Sequence, residues 1–146
     1  FSQKELDHIH DAMIIARLYT SYGNPALPAR LAGASAKRAA GRPALPSRGR
    51  PTSIFFTGDM ERRLEFEFAT RIPDMLDSDI LKIGHHGSKT SSSELFLKAV
   101  SPDVAIISVG RKNTFGHPHQ SVLDRFESLG IPIRRTDLDG DIHFSF

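Results

Sequence analysis

The sequence of 146 residues contains no cysteine. The chain therefore cannot form a disulfide, a thiolate zinc site or a cysteine nucleophile, and any metal ion must be bound by His, Asp or Glu. Seven His residues are available for that role. No apolar run approaches the ~20 residues of a membrane-spanning helix, so we expect no membrane segment in this chain. The sequence begins at Phe1 without the pattern of a secretory signal, and we interpret it as a fragment or a processed piece.

Acidic residues are absent from one stretch of the chain, residues 22–52. This tract has six basic residues, five Pro, four Gly and eight Ala in 31 positions, without helical or strand periodicity. Such a composition is typical of a linker or a disordered insert. The net charge of +2 divides into +6 for the tract and −4 for the rest of the chain. A solvated linker is the simpler interpretation, and steering of nucleic acid or phosphate is the alternative.

The hydrophobic pattern of the remaining chain predicts alternating helices and strands. Helices are predicted from His8 to Tyr19, along Met60, Leu64 and Phe68, after an S-x-x-E capping box of Ser91 and Glu94, and along Val122 to Leu129 between Pro118 and Gly130. Strands are predicted at 53–57, 79–83 and 104–109, followed by a hairpin of 131–135 and 141–146 around Asp139-Gly140. This order predicts an α/β fold in a single domain.

Polar side chains that can bind a metal ion follow the ends of the predicted strands. Asp59 follows the first strand, His85 and His86 follow the second, and His117 lies in the loop after the third. Because loops at the carboxyl ends of strands converge in open α/β sheets, we expect these four side chains to meet. A lone His is more often a core residue, but an Asp and three His residues at successive strand ends favour a site.

Two neighbouring segments extend this predicted site. With Pro118 at the first helical position, His117 is expected to be the N-cap, where the helix dipole favours a neutral imidazole that binds metal or accepts a proton. The loop from Gly87 to Ser93 places hydroxyl groups and Lys89 ahead of a helix, which suits a phosphate, although a serine-rich capped loop is the simpler alternative.

Five segments together resemble a known family: FFTGD (55–59), DILKIGHHGSKTSSS (79–93), SPDVAIISVG (101–110), NTFGHP (113–118) and RRTDLDGDI (134–142). They are similar to the C-terminal metallo-β-lactamase-like domain of competence DNA-uptake channel proteins (the ComEC family) and of free-standing relatives. The resemblance runs from about residue 53 to residue 146. It implies an αββα sandwich with one or two zinc or manganese ions at its rim. The implied activity is hydrolysis of DNA or another phosphodiester, outside the cytoplasmic membrane in a channel protein and in the cytoplasm in a free-standing one.

The resemblance also implies a metal-binding set, which comprises Asp7, His8, Asp59, His85 and His86. One of the two adjacent His residues would coordinate the metal and the other would line the site. The opening FSQKELDHI is similar to the family's first metal motif, in which Gln3 and Glu5 replace expected ligands. Because a Gln side chain is a poor zinc ligand, one of two metal positions would be weakened. The strands that precede this motif in the family are missing, which indicates an N-terminally truncated or eroded copy.

By the same resemblance, catalysis would rest on Asp59, Lys89 and His117, while Ser88, Lys89 and Thr90 would bind the substrate phosphate. His117 and Lys89 would stabilise charge on the phosphoryl oxygens. Two alternatives stay open. The first alternative to an active hydrolase is a catalytically impaired remnant with weak or no metal binding. The second is a phosphate- or nucleic-acid-binding module that uses the basic tract.

Overall fold

The computed structural model describes residues 14–18 and 52–144. Within these ranges, five strands form one sheet in the order β1 to β5: β1 (Ile14–Leu18), β2 (Thr52–Phe56), β3 (Ile80–Lys82), β4 (Val104–Ile107) and β5 (Ile133–Arg135). β1 is antiparallel to β2, whereas β2 to β5 are parallel to one another. The predicted α/β class is confirmed. No helix of the described ranges is long and apolar enough to cross a membrane.

Helical segments connect the parallel strands: α1 (Arg62–Arg71), α2 (Pro73–Leu76), a 3₁₀ turn (Gly84–Gly87), α3 (Glu94–Val100), α4 (Gln120–Ser128) and α5 (Thr136–Asp139). Pro73 begins α2, where a missing N–H group costs no helical hydrogen bond. Gly130 follows α4 with a φ of 63°, and the N–H group of Ile131 donates to the carbonyl of Phe126 at 2.9 Å. This left-handed glycine ends α4 as predicted.

One face of the sheet packs beneath the helices. Phe55, Leu81 and Ala105 lie in register across β2, β3 and β4, and all three are buried. Helical side chains complete the core, among them Phe68, Leu76, Phe96, Leu97, Val100 and Phe126. Burial of this apolar area is the main favourable contribution to folding, and it fixes the register of the strands whose ends carry the candidate site.

A buried carboxylate links α1 to the start of α3. Glu65 is 1% exposed, and its carboxylate accepts hydrogen bonds from the N–H groups of Ser92 and Ser93, the latter at 2.7 Å. From α4, the Arg125 guanidinium donates to the carbonyl of Ser92 at 2.7 Å. The Glu65 carboxylate therefore binds the N–H groups of this backbone segment, and the Arg125 guanidinium binds one of its carbonyls.

The capping box predicted for α3 is wrong. Ser93 is the N-cap, and its side chain makes no capping hydrogen bond, whereas the Glu65 carboxylate accepts from the N–H groups of Ser92 and Ser93. The Ser91 hydroxyl instead donates to the carbonyl of Gly84 at 2.9 Å. Glu94 forms an i,i+4 ion pair within α3. The Glu65 carboxylate, distant in sequence, accepts from the N–H group of the N-cap residue in place of a side chain of α3.

Residues 14–18, predicted as part of a helix over 8–19, form a strand instead. In β1, Ile14 is paired with Phe56 and Leu18 with Thr52. The β-branched Ile14 and Ile15 suit a strand, and the edge of β2 offers backbone partners that outweigh the helical spacing. The remainder of that predicted helix lies outside the described residues. So does the predicted linker, except Thr52, which begins β2.

The predicted C-terminal hairpin of 131–135 and 141–146 is also wrong. β5 pairs in parallel with β4, residues 136–139 form α5, and residues 142–144 contain no strand, while 145 and 146 lie outside the described residues. Asp139 accepts from the Arg134 guanidinium at 2.8 Å, and Asp137 pairs with Arg135. The Thr136 hydroxyl accepts from the N–H group of Val109 at 2.8 Å. Two local ion pairs and one contact with the loop after β4 therefore stabilise a helical turn instead of a hairpin.

Replacing Glu65 with Ala is expected to reduce the free energy of unfolding by about 3 kcal/mol. Hydrogen bonds to a charged group contribute about 1.5–3 kcal/mol each, and the substitution removes the acceptor for two backbone N–H groups. Urea unfolding followed by circular dichroism measures the loss.

Glu67→Ala is the matched control, because Glu67 lies in the same helix and forms an i,i+4 pair with exposed Arg63 at 3.5 Å. Such exposed pairs contribute about 0.3–0.5 kcal/mol. An equal loss of stability in the two variants would contradict the role assigned to Glu65.

Candidate functional site

The loops after β2, β3 and β4 meet at one edge of the sheet, where parallel strands present their carboxyl ends. The N–H group of His85 donates to the carbonyl of Gly58 at 3.0 Å, which joins the first two loops. The N–H group of His119 donates to the carbonyl of Gly87 at 2.9 Å, which joins the second and third. The backbone itself therefore brings the three loops together.

The two adjacent histidines occupy an unusual backbone conformation. His85 has φ 46° and ψ 43°, and His86 has φ 53° and ψ 21°, both in the left-handed region. This region costs a residue with a Cβ about 1–2 kcal/mol, and such costs cluster at functional sites. This turn directs both imidazole rings toward the neighbouring loops, and its left-handed backbone is strained.

Glycines flank this turn because the neighbouring loops come too close for a side chain. A Cβ at Gly84 would lie 2.7 Å from the carbonyl oxygen of Met60. A Cβ at Gly87, whose φ is 83°, would lie 2.7 Å from Cβ of Pro118. The close packing of the three loops thus depends on these two positions.

Asp59 and His86 form the pair at the centre of the candidate site. Nε2 of His86 lies 3.8 Å from Oδ1 of Asp59. Nδ1 of His86 lies 2.6 Å from the carbonyl oxygen of Ser108, which can only accept, so Nδ1 carries the proton in the neutral ring. Nε2 then has a free lone pair beside the carboxylate. This arrangement of a fixed tautomer next to an acid is typical of a metal-binding His.

Glu61 connects His85 to the serine-rich loop. Its Oε1 accepts from Nδ1 of His85 at 3.2 Å and from the hydroxyl of Thr90 at 3.0 Å. Glu61 was not among the predicted site residues, although it lies only two residues after Asp59, because no spacing rule connects it to His85. It orients His85 in the same way that the Ser108 carbonyl orients His86.

His117 lies next to His85, with ring centroids 5.8 Å apart and the planes at 66°. Burial, and then the charges of His85, His86 and His119, lower the pKa of His117, which favours the neutral ring. Nδ1 of His117 is buried without a hydrogen-bond partner among the described residues. The prediction that His117 is the N-cap of α4 is wrong. His119 is the N-cap, its Nδ1 accepts from the N–H group of Ser121, and Pro118 precedes the helix.

The predicted phosphate-binding residues differ in their exposure. Ser88 is buried, and its hydroxyl lies 3.1 Å from that of Thr90. Lys89 is exposed, and its carbonyl accepts from the guanidinium of Arg62 at 2.9 Å. The hydroxyls of Ser88 and Thr90 are therefore engaged in holding the loop, whereas the Lys89 ammonium faces solvent.

Lys82 is a second residue that the sequence analysis missed. It ends β3 on the face opposite the helices and interacts electrostatically with Asp59. Burial lowers the pKa of Lys82, and the negative charge of Asp59 opposes that effect. An ammonium group close to Asp59 adds positive charge at the edge where a phosphate is expected to bind.

The described residues contain no cluster of three or more His, Asp or Glu side chains arranged to hold a metal ion. Asp59 and His86 approach one another, but His85 is bonded to Glu61. Asp7 and His8, the other predicted ligands, lie outside the described residues. The assignment of all five residues as metal ligands stays a prediction.

Comparison with known proteins finds similarity over about two thirds of the chain. Over 94 residues the chain is 42% identical to ComE operon protein 3 of Bacillus subtilis (strain 168), covering 64% of this chain and 12% of that protein. It is 41% identical over 92 residues to Competence protein ComA of Neisseria gonorrhoeae, covering 63% of this chain and 13% of that protein.

A third relative is Recombination protein 2 of Haemophilus influenzae, which is 43% identical over 94 residues, or 64% of this chain and 12% of the relative. No family model matches the chain. The chain thus spans about an eighth of the length of these relatives. The predicted relation to competence proteins is confirmed as a partial one.

In the metal-free protein, the stability that neutral His117 contributes is expected to be lost as the pH falls. Because the pKa of His117 is lowered in the folded state, the unfolded chain binds a proton first once the pH drops below about 6.5. The stability is fully present above that pH and declines until the folded-state pKa is passed. Urea unfolding at a series of pH values measures the decline.

His117→Gln should decline less steeply than the wild type over this pH range, because the substituted side chain does not titrate. An NMR titration of the imidazole resonances, assigned with the same variant, should give His117 a pKa below its usual value. Identical pH dependence of stability in the two proteins would rule out this linkage.

Proposed function

We propose that this chain is the metal-dependent hydrolase portion of a competence-type protein and that it cleaves DNA or a related phosphodiester. The partial relation to competence proteins supports the setting in which nucleic acid is handled. The chemistry is supported by the edge of the sheet, where Asp59, His85, His86 and His117 come from three successive strand ends.

One observation carries the proposal. His86 has Nε2 at 3.8 Å from Oδ1 of Asp59 while its Nδ1 is fixed on the Ser108 carbonyl at 2.6 Å. A structural core His has no need of a free ring nitrogen beside an exposed carboxylate, and the Asp59 side chain is 73% exposed. The pair instead suits a shared cation.

A divalent metal fits these donors in part. An imidazole nitrogen and a carboxylate oxygen are ligands that both zinc and manganese accept, and one or two ions are expected. A catalytic zinc site usually takes three protein ligands, so the pair needs further donors. Asp7 and His8 are our candidates for them, together with His85.

Such a metal, when bound, supplies an acidified water and positive charge for a phosphoryl group. The chain's own residues have separate tasks. Neutral His117, whose ring lies beside that of His85, donates an N–H hydrogen bond to a phosphoryl oxygen. The exposed Lys89 ammonium attracts the phosphate and holds it against the serine-rich loop. Ser88 and Thr90 fix the loop through their mutual hydrogen bond.

The αββα sandwich is the fold that we propose for the complete domain. Helices cover one face of the described sheet. On the opposite face, Ile80 is 0% exposed and Val104 is 7% exposed, although neither belongs to the core beneath the helices. Ile54 and Ile106 on the same face are half-buried, and Phe56 is 40% exposed. An apolar second face that is only partly buried is what we expect of a parallel sheet that a further layer covers in the complete domain.

Asp59→Asn and His86→Ala are each expected to lower hydrolysis of linear DNA, and of bis(p-nitrophenyl) phosphate, by more than about 100-fold in the presence of Mn²⁺ or Zn²⁺. Loss of an outer-shell partner already costs about 10–100-fold, and a direct ligand is expected to matter more. Metal content, measured by mass spectrometry after gel filtration, should fall in both variants.

Asp74→Asn and His143→Ala are the matched controls, because both side chains are exposed and Asp74 lies in α2, before β3 begins. Both should retain the rate and the metal content of the wild type. Equal rates in all five proteins would indicate a contaminating nuclease. A wild type without stoichiometric metal and without hydrolysis would identify an impaired remnant.

A further inference from the structure

A large aromatic side chain lies exposed beside the candidate site. Phe115 is 81% exposed, the highest value among the described large hydrophobic residues that are exposed. Its ring is stacked on His117, with centroids 6.2 Å apart and planes at 20°. The Phe115 ring therefore lies beside His117 in a nearly parallel orientation, and most of its surface faces solvent.

The loop that carries Phe115 is held in place by its own hydrogen bonds. The Asn113 amide nitrogen donates to the carbonyl of His117 at 2.9 Å, and the N–H group of His117 donates to the Asn113 amide oxygen at 3.1 Å. The N–H group of Asn113 also donates to the carbonyl of Gly110 at 3.1 Å. These bonds pre-organise the loop, so exposing the ring to a ligand requires no refolding.

Two cations accompany the aromatic ring. Arg111 and Lys112 are both exposed and lie on the same loop as Phe115. An exposed aromatic ring next to basic side chains is the combination with which proteins bind unpaired nucleic acid, because bases stack on the ring while the cations follow the phosphates. A protein partner would also bury an exposed Phe, but would not by itself explain the adjacent cations.

We infer that Phe115 stacks on an unpaired nucleobase and that Arg111 and Lys112 bind the flanking phosphates. The substrate class of the site is then a single-stranded nucleic acid rather than a duplex or a simple phosphodiester. Because Phe115 lies beside His117 and His117 lies beside His85, a base stacked on Phe115 would bring its flanking phosphates to the same edge of the sheet. This step rests on the proposed function, whereas base stacking itself is independent of hydrolysis.

The first test uses the full chain in EDTA, so that binding is measured without metal and without cleavage. The probes are a fluorescein-labelled oligothymidylate and a strand of the same length whose positions are all abasic. Phe115→Ala should weaken oligothymidylate binding about 5- to 150-fold and leave the abasic strand unchanged. Phe66→Ala, which removes a Phe that is 58% exposed on α1, is the control and should change neither affinity.

A spectroscopic arm follows from the absence of tryptophan in the chain. Phe115→Trp introduces the only tryptophan of the chain at the inferred stacking position and should retain oligothymidylate binding. Its emission should be quenched by oligothymidylate but not by the abasic strand. Phe66→Trp should show no quenching. Equal quenching in both variants, or none with Phe115→Trp, would overturn the inference.

The cations are tested separately, because they should contact phosphates rather than bases. Arg111→Gln and Lys112→Gln should weaken binding of both strands alike and reduce the salt dependence of log K by about 0.7 for each charge removed. An equal loss of affinity for both strands in Phe115→Ala would instead indicate a structural role and would overturn the stacking assignment.

These measurements separate two failures. If stacking is observed but the wild type does not hydrolyse DNA, the proposed hydrolase function is wrong and the assignment of the base-binding loop stands. If hydrolysis proceeds and Phe115→Ala leaves both oligothymidylate affinity and the KM for single-stranded DNA unchanged, the hydrolase stands and the base-binding loop is wrong.

Discussion

The buried Glu65 carboxylate is the interaction on which the geometry of the edge of the sheet depends. It accepts from the backbone of Ser92 and Ser93, while Arg125 donates to carbonyls of the same segment. Three helices, α1, α3 and α4, therefore meet at one stretch of backbone. The loop that leads into this stretch carries His85 and His86. We call these contacts of Glu65 and Arg125 with residues 91–93 the clamp. Because a buried charge without partners costs several kcal/mol, the clamp forms only when all three helices are in place.

One backbone carbonyl and one side-chain carboxylate then orient the two imidazoles. The Ser108 carbonyl fixes the tautomer of His86, and the left-handed turn aims the ring toward Asp59. Glu61 performs the equivalent task for His85. The strained turn is tolerated because the surrounding hydrogen bonds over-determine it. Function and stability are coupled through Ser91, which adjoins the Glu65 contacts and donates its hydroxyl to the carbonyls of Gly84 and Ser88 on either side of the turn.

The parts that sequence reasoning predicted and the parts that it missed have different physical origins. Strand ends were predictable to within two residues: the strand predicted at 104–109 ends at Ile107, and the site residues follow from such ends. Contacts between distant segments were not: Glu65 and Ser92 are 27 residues apart, and no local pattern marks a carboxylate that caps another helix. The same limit explains the wrong prediction that His117 is the N-cap, since only the loop geometry shows that His119 is the N-cap of α4.

The distribution of charge across the edge links the two proposals. Asp59 and Glu61 place negative charge at its centre, and Arg111 and Lys112 place positive charge on the outer loop. A phosphate attracted by the outer cations is repelled by the inner carboxylates unless a cation lies between them. Lys82 supplies part of that charge next to Asp59, and a divalent metal would supply more. Metal and nucleic acid are then expected to bind with positive coupling, and by linkage each raises the affinity for the other by the same factor.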